Sequence, residues 1–309
     1  MNYVIMDLEW NGGYSARTHG YFNEIMEIGA VRLDDQLHPA GEFHVVIRPA
    51  LVRELSKLVR EMTGITEEEL ERGTTFRKAM AQMSRFAGEE AVIMTWSNTD
   101  LLMLEENLRY YFGGREEIPF MGYYADVQAY CQQRLTEGET QQLGLEAACR
   151  LADIDDEGAD HHRALDDSRL TARLLTKLYA EEDFRPYILP ADREFYSRLN
   201  YKTSFISDIE SPLIDREALR FDCEDCRTDL IREKDWRYRS RGFYAPFVCP
   251  SCGKKYNARV QFKQKYDGVI VKRRLTLRLS KPEGEEEAMQ NDTGGENYGE
   301  SEEKIGFSG

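Results

Sequence analysis

The sequence has no stretch approaching the roughly 20 uninterrupted apolar residues that span a bilayer, no internal repeat, and neither a basic leader nor a small-residue cleavage site in its opening MNYVIMDLEWNGG. These absences argue against a membrane helix, a repeat architecture and an exported precursor. The expectation is a soluble, cytoplasmic protein. Cysteine is sparse: of six, Cys131 and Cys149 stand alone, and the rest form two CxxC pairs, Cys223/Cys226 and Cys249/Cys252. In a reducing compartment that distribution reads as metal rather than disulfide. Positive charge is short as well, 41 basic side chains against 56 acidic for a net charge of −15, which taken whole speaks against a nucleic-acid partner.

The charge deficit is not uniform. Residues 1–180 hold 18 basic and 31 acidic side chains, 181–220 hold 6 and 9, 221–280 hold 15 and 7, and 281–309 hold 2 and 9. One strongly basic segment therefore follows an acidic region, some of whose acids bound cations would neutralise. The same boundaries suit a domain reading. With 309 residues, 41% of them apolar, the chain can hold a full-sized catalytic domain (1–180) and a smaller module (221–280). Between them, 181–220 contains Pro186, Pro190 and Pro212 and reads as a connector. The Glu- and Gly-rich 281–309 has almost no apolar content and is expected to be a disordered acidic tail.

Apolar alternation predicts strands at Tyr3–Leu8, Ile25–Leu33 and Phe43–Ile47, then helices over Val52–Met62 and Phe76–Phe86. A buried strand at Ala91–Trp96, a helix at Asp100–Tyr111, a strand at Pro119–Tyr124 and helices at Leu143–Leu151 and Ala164–Tyr179 complete the region. Strands in meander order, then strands alternating with helices, predict an α/β fold with a mixed sheet covered on both faces.

Several acids stand out against this frame. Asp7 and Glu9 are one residue apart on a strand, so both point to one face. Paired carboxylates repel unless a cation lies between them, and oxygen ligands suit Mg²⁺ or Mn²⁺, although Asp-x-Glu is also a common surface pattern. At 100° per residue Asp167 aligns with Leu174 and Leu178 on the stripe that faces the sheet, whereas Asp166 aligns with Arg173 and Lys177. An acid on a core-facing stripe is costly unless it binds a metal or a partner. Asp100 lies one turn ahead of Leu104 and is either such an acid or a helix N-cap. His162 falls on the loop leading into the last helix, where an imidazole suits proton abstraction near neutrality; spacing alone does not separate it from His161.

These residues occur in the order and spacing of a known family. VIMDLEW, EIMEIGAVRLD, RPALVRELSKLVREMTGIT, TWSNTDLLML and HRALDD resemble, over about residues 2–180, the motifs of the DEDDh 3′–5′ exonucleases. The last motif, HxAxxD, assigns His162 over His161 and Asp167 over Asp166. Arg163 occupies the position at which the sister class carries tyrosine. The resemblance implies a ribonuclease H-like fold and a two-metal mechanism. In it Asp7, Glu9 and Asp167 hold one ion, Asp7 and Asp100 the second, and His162 deprotonates the attacking water to release mononucleotides. It also places Leu8 and Trp10 against the terminal nucleotide, although Trp10 departs from the family's commoner threonine.

In the second module, two CxxC pairs separated by 22 residues predict a four-cysteine zinc ribbon (Cys223, Cys226, Cys249, Cys252). Around them, Trp236, Tyr238, Arg239, Arg241, Phe243, Tyr244, Lys254, Lys255, Arg259, Lys263, Lys265, Lys272, Arg273 and Arg274 interleave rings with cations, a composition suited to single-stranded nucleic acid. The alternative is that the rings are the ribbon's own core. A chain with its own single-strand module and no polymerase region resembles RNA-trimming relatives, so RNA is the expected substrate. The alternatives are a DNA exonuclease or a non-catalytic adaptor.

Overall fold

The computed structural model describes residues 2–115, 117–136, 142–155 and 162–278; His161 and the expected acidic tail lie outside them. The described chain divides into two compact units, one ending at Asn200 and one starting at Tyr201. The segment expected as a connector is thus shared: α8 (Glu181–Phe184), β6 (Leu189–Pro190) and α9 (Arg193–Leu199) belong to the first unit.

In the first unit β1 (Tyr3–Ser15), β2 (Gly20–Leu33) and β3 (Pro39–Val46) form an antiparallel meander. β4 (Ala91–Thr95) and β5 (Met121–Asp126) continue the sheet in parallel with β1, and β6 closes it antiparallel, in the order β3-β2-β1-β4-β5-β6. Alternation along β1 feeds two cores. Val4, Met6 and Leu8 pack with α3 (Phe76–Ala87) and α4 (Thr99–Tyr111), while Ile5 packs with α5 (Val127–Leu135), α6 (Leu145–Leu151) and α7 (Ala164–Leu178). Cover on both faces explains why every residue of β4 is buried. The mixed sheet flanked by helices is the expected ribonuclease H-like class.

The structure departs from the sequence reading in several places. β1 does not stop at Leu8 but runs on as a hairpin with β2, with a bulge between Glu9 and Trp10. The helix expected from Val52 begins only at Lys57, as α1 (Lys57–Thr63) with Ser56 as N-cap, because the backbone N–H groups of Ala50, Leu51 and Val52 are taken by the Glu24 carboxylate. Two helices went unread: α2 (Glu67–Arg72), started by a Thr66/Glu69 capping box, and α5, capped by Asp126. Among the described residues no helix is long and apolar enough to cross a membrane.

The second unit is an antiparallel sheet of β12 (Gly268–Leu277), β11 (Lys255–Lys265), β10 (Gly242–Val248) and β8 (Ile231–Arg232), in that order, with β7 (Ser204–Phe205) on β11 and β9 (Arg237–Arg239) on β10. Period-two alternation brings Phe243, Ala245 and Phe247 of β10 together with Tyr256, Ala258, Val260 and Phe262 of β11 in one core.

Candidate active site and thiol cluster

Pairing between β1 and β4 ends at Ile5 and Met94, so Asp7 lies just beyond the point where the two parallel strands part. Across β1, the register sets Asp7 opposite Gly29 and Glu9 opposite Glu27 of β2. Gly29 carries no side chain for a physical reason: a Cβ there would stand 2.1 Å from the Ala164 carbonyl carbon and the Leu165 nitrogen. Its absence lets the first turn of α7 lie directly on β2, where the Ser168 hydroxyl donates to the Gly29 carbonyl at 3.1 Å. That close approach delivers Asp167 to Asp7. Carboxylate oxygens of Asp7, Glu9 and Asp167 lie within 4.8 Å of one another.

Asp100 arrives from the other face of the sheet. It is 6% exposed in the first turn of α4, and its Oδ1 accepts from the Leu8 N–H at 3.1 Å. Asp100 and Asp167 both sit at helix N-termini, whose partial positive charge favours carboxylates. It is not sufficient compensation. Burial, followed by the charges of Asp100, Glu9 and Asp167, holds the Asp7 carboxyl well above the usual range. Burial and then Asp167 and Glu27 push Glu9 up to about 9, against the opposing effect of Arg163. Burial raises Asp100 to about 7 although the Leu8 N–H opposes it. Crowded oxygen donors whose ionised forms repel one another are what a hard divalent cation relieves, so the residues fit the metal chemistry.

His162 lies on the exposed turn before α7, as expected, with a left-handed φ of 68° that a β-carbon disfavours. Its backbone N–H donates to Asp167 Oδ2 at 3.2 Å, which ties the turn to the cluster. Leu8 is otherwise than expected: its side chain is 2% exposed in the core, because alternation that points Asp7 and Glu9 one way points Leu8 the other. What it offers the site is its backbone N–H. Trp10 is half-buried and packs partly on the same core.

Sequence reasoning missed Glu27. Fully buried, it accepts from His44 Nε2 at 2.5 Å, from Arg163 Nη2 at 2.7 Å and Nε at 3.0 Å, and from the Ala164 N–H at 3.1 Å. Burial alone would raise its pKa, but the hydrogen bonds from His44 and Arg163 outweigh that and hold it low. The carboxylate thereby pins the segment that carries His162 and Asp167. The signal was the second glutamate of EIMEIG, two residues before Gly29. Also missed were Trp96 Nε1 and Asn98 Oδ1, in the segment leading to Asp100, which are buried without a hydrogen-bond partner among the described residues.

In the second unit the Sγ atoms of Cys223, Cys226, Cys249 and Cys252 lie within 4.8 Å of one another. Cys223 and Cys252 are 3.7 Å apart, too far for a disulfide and close to the edge of about 3.8 Å of a tetrahedron with metal–sulfur bonds of about 2.3 Å. Gly253, at φ 71°, supplies the left-handed turn after the last thiol. The buried Tyr256 hydroxyl lies 3.3 Å from Cys223 Sγ, and this hydrogen bond leads the effects that lower the thiol to about 6. The aromatics behave mostly as core. Phe243 is 2% exposed, Trp236 packs edge-on against Phe247, and Tyr244 lies between Arg239 and Arg259, whose guanidinium carbons are 4.4 and 5.5 Å from its ring centre. Tyr238 remains exposed.

A mixed, helix-covered sheet with clustered acids beyond its central parallel strands is the arrangement of a phosphodiester hydrolase. The RNase_T family model, described as Exonuclease, matches residues 4–175, and the chain belongs to that family, within its DEDDh 3′–5′ exonuclease class, which implies divalent metal ions at the acidic cluster. Among curated proteins it is similar to the PolC-type DNA polymerase III of Thermotoga petrophila (28% identical over 177 residues) and of Thermotoga maritima (27% over 177 residues). Each match covers 57% of this chain but only 12% of the polymerase. Similar solved structures include cell-death related nuclease 4 (TM-score 0.49, 18% identity, 57% of this chain and 62% of that one). The nuclease domain of 3′hExo bound to rAMP is another (TM-score 0.48, 20% identity, 57% and 90%).

Proposed function

We propose that the protein shortens single-stranded nucleic acid from its 3′ end, releasing nucleoside monophosphates, and that RNA is the preferred substrate. The observation that carries the reading is the group of carboxylates on Asp7, Glu9 and Asp167, drawn from two elements into a 4.8 Å cluster with Asp100 buried beside it. Asp7, Glu9 and Asp167 would hold one Mg²⁺ or Mn²⁺, and Asp7 with Asp100 a second. Bound there, the ions supply charge to both the attacking and the leaving oxygen. His162 takes the proton of the attacking water from its exposed turn. Trp10, on β1 beyond Glu9, flanks the terminal nucleotide. In the second unit Cys223, Cys226, Cys249 and Cys252 hold a structural Zn²⁺.

The second unit adds a sequence-tolerant hold on the strand. Arg259 of β11 pairs directly across from Arg274 of β12. Like charges in cross-strand register are unfavourable unless a polyanion neutralises them. With most rings of this unit committed to its core, its contribution is mainly charge. DNA is the second reading, favoured by the similarity to DNA polymerases; an idle adaptor is disfavoured because all five expected catalytic positions are filled.

The test is incubation of 5′-labelled single-stranded RNA and DNA of equal sequence with Mg²⁺ or Mn²⁺, for wild type and Asp7→Ala. Stepwise shortening by the wild type alone supports the reading, and the faster substrate decides the sugar. Intact strands in every condition refute it.

A further inference from the structure

A cavity of about 800 Å³ opens in the first unit, lined by Arg48, Arg53 and Arg77, with Phe76 and Tyr111 among its walls. The convergence of its arginines, its fixed walls and its place along β1 set it apart from an ordinary basic surface. Among the described residues none of the three arginines has an ion pair, and together they converge on one cavity, whereas Arg60, Arg72, Arg134 and Arg169 of the same unit are each spent on a carboxylate. Two acids also line the cavity, but Glu67 is held by Arg60 at 2.5 Å, leaving Glu71 against three guanidinium groups.

The loop that carries Arg48 and Arg53 is held rigid at a cost. Glu24, 1% exposed, spends its carboxylate on the N–H groups of Ala50, Leu51 and Val52 at 2.7 to 2.8 Å, and accepts from the Tyr111 hydroxyl as well. Asn11 clamps the same loop from β1, through the Glu54 carbonyl at 2.8 Å and the Ser56 N–H at 3.2 Å. A buried charge devoted to fixing a loop is expensive unless the loop's conformation has a use. The wall opposite is fixed too: Tyr111 stacks on Phe76 with ring centres 4.8 Å apart, and the Arg77 guanidinium lies 4.7 Å over the Phe112 ring. Finally, Asn11 stands two residues past Glu9 on β1 and opposite Glu24 in the register. Both clamps therefore act about 7 Å along the strand from the acidic cluster, at a rise of about 3.3 Å per residue.

We propose that this cavity is a second nucleotide-binding site, taking a phosphodiester of the substrate strand upstream of the reacting 3′ end. The guanidinium forks engage phosphate oxygens, and the apolar wall accommodates a sugar or base. Its volume lies in the range of sites that enclose a small organic ligand. The assignment rests on the exonuclease reading for the identity of the strand, and free mononucleotide shares the same chemistry.

The full-length wild type, Arg48→Ala/Arg53→Ala/Arg77→Ala and the corresponding triple lysine variant test it. Cleavage of a dinucleotide and of a dodecamer is measured with Mn²⁺. Binding of a fluorescent dodecamer is measured without added divalent ion across a salt series. The proposal expects the alanine variant to raise the dodecamer KM about tenfold or more at unchanged kcat and to leave the dinucleotide unaffected. It also expects dodecamer binding to weaken comparably, the salt slope to fall by about two charges, and the lysine variant to recover part of the loss. Equal effects on both lengths, or on neither, overturn it. A melting shift of the wild type by nucleoside monophosphate, lost in the alanine variant while dodecamer KM and binding stay unchanged, reassigns the cavity to free nucleotide and overturns the strand assignment. If the wild type cleaves nothing but the alanine variant still loses dodecamer binding, the exonuclease reading fails and the cavity stands.

Discussion

The two units each gather metal-type ligands, by opposite routes. In the second unit four thiols come from two short turns, 223–226 and 249–252, each presenting its pair locally. In the first, the acids come from residues 7, 9, 100 and 167, on a strand and two helices whose approach is set by the sheet register, by Gly29 and by the buried Glu27. A site built from two local turns needs a bound ion to hold a small fold together. Assembly by a large core makes the carboxylate site stand ready and strained before any ion arrives.

The largest effect that sharpens this contrast is expected for Asp7→Ala. Activity should fall by about a thousandfold or more, while the metal-free variant melts no lower than wild type, since a crowded buried charge has been removed. A variant that loses activity because it unfolds would break the contrast. Second, Cys223→Ser should do the reverse. Loss of a structural ion costs a small module on the order of 10 kcal/mol, so limited proteolysis should cut within 201–278 at once while the first unit resists. Equal resistance of both units would mean that the thiols carry no structural ion.

Third, Glu27→Ala removes a fully buried partner of Arg163 and should destabilise the first unit by about 3–5 kcal/mol, measured by urea denaturation. Its effect on catalysis should be about 10- to 100-fold, the size typical of groups that orient a metal site, with a weakened affinity for Mn²⁺. Glu27 has a lowered pKa, so its contribution is present above the ordinary carboxylate range and is lost as pH falls through the folded value. The smallest effect is a drift with pH. Asp7, Glu9 and Asp100 have raised pKa values, so the folded state holds protons that the unfolded chain releases near pH 4. Stability of the metal-free protein should therefore decline as pH rises from about 4.5 toward 9. Adding Mg²⁺ or Mn²⁺ at pH 7 should release protons and remove much of the decline. Calorimetry in buffers of different ionisation enthalpy checks the proton count, and a flat profile would mean that the cluster is solvated.

Most of the strand and helix order was legible because hydrophobic period survives folding. The exceptions are instructive. Val52–Ser56 has a helical pattern, but its ends are held by distant side chains: the Val52 N–H donates to Glu24 and the Ser56 N–H to Asn11. The hairpin extension through Asn11-Gly12-Gly13 reads locally as a loop and is strand only because β2 pairs with it. α2 carried its signal in Thr66 and Glu69 and was simply missed. Which rings fill the small sheet's core was left open by composition: Phe243 is buried in it, while Tyr244 is half-buried with Arg239 and Arg259 against its ring.

The amino-acid sequence by itself determined which residues are fit for the chemistry: the Asp7/Glu9 pair by period two, Asp167 by its helical face, the four cysteines by their spacing. Those signals are local, and local geometry is nearly the same in any fold. Only the tertiary structure decided that Gly29 admits α7 against β2, that Glu27 pins the turn bearing His162, and that Leu8 turns inward. It also set three unpaired arginines around a cavity on a loop held by Glu24. Each of these depends on which distant segments share a strand register or a buried charge, and a single chain read in order does not carry that information.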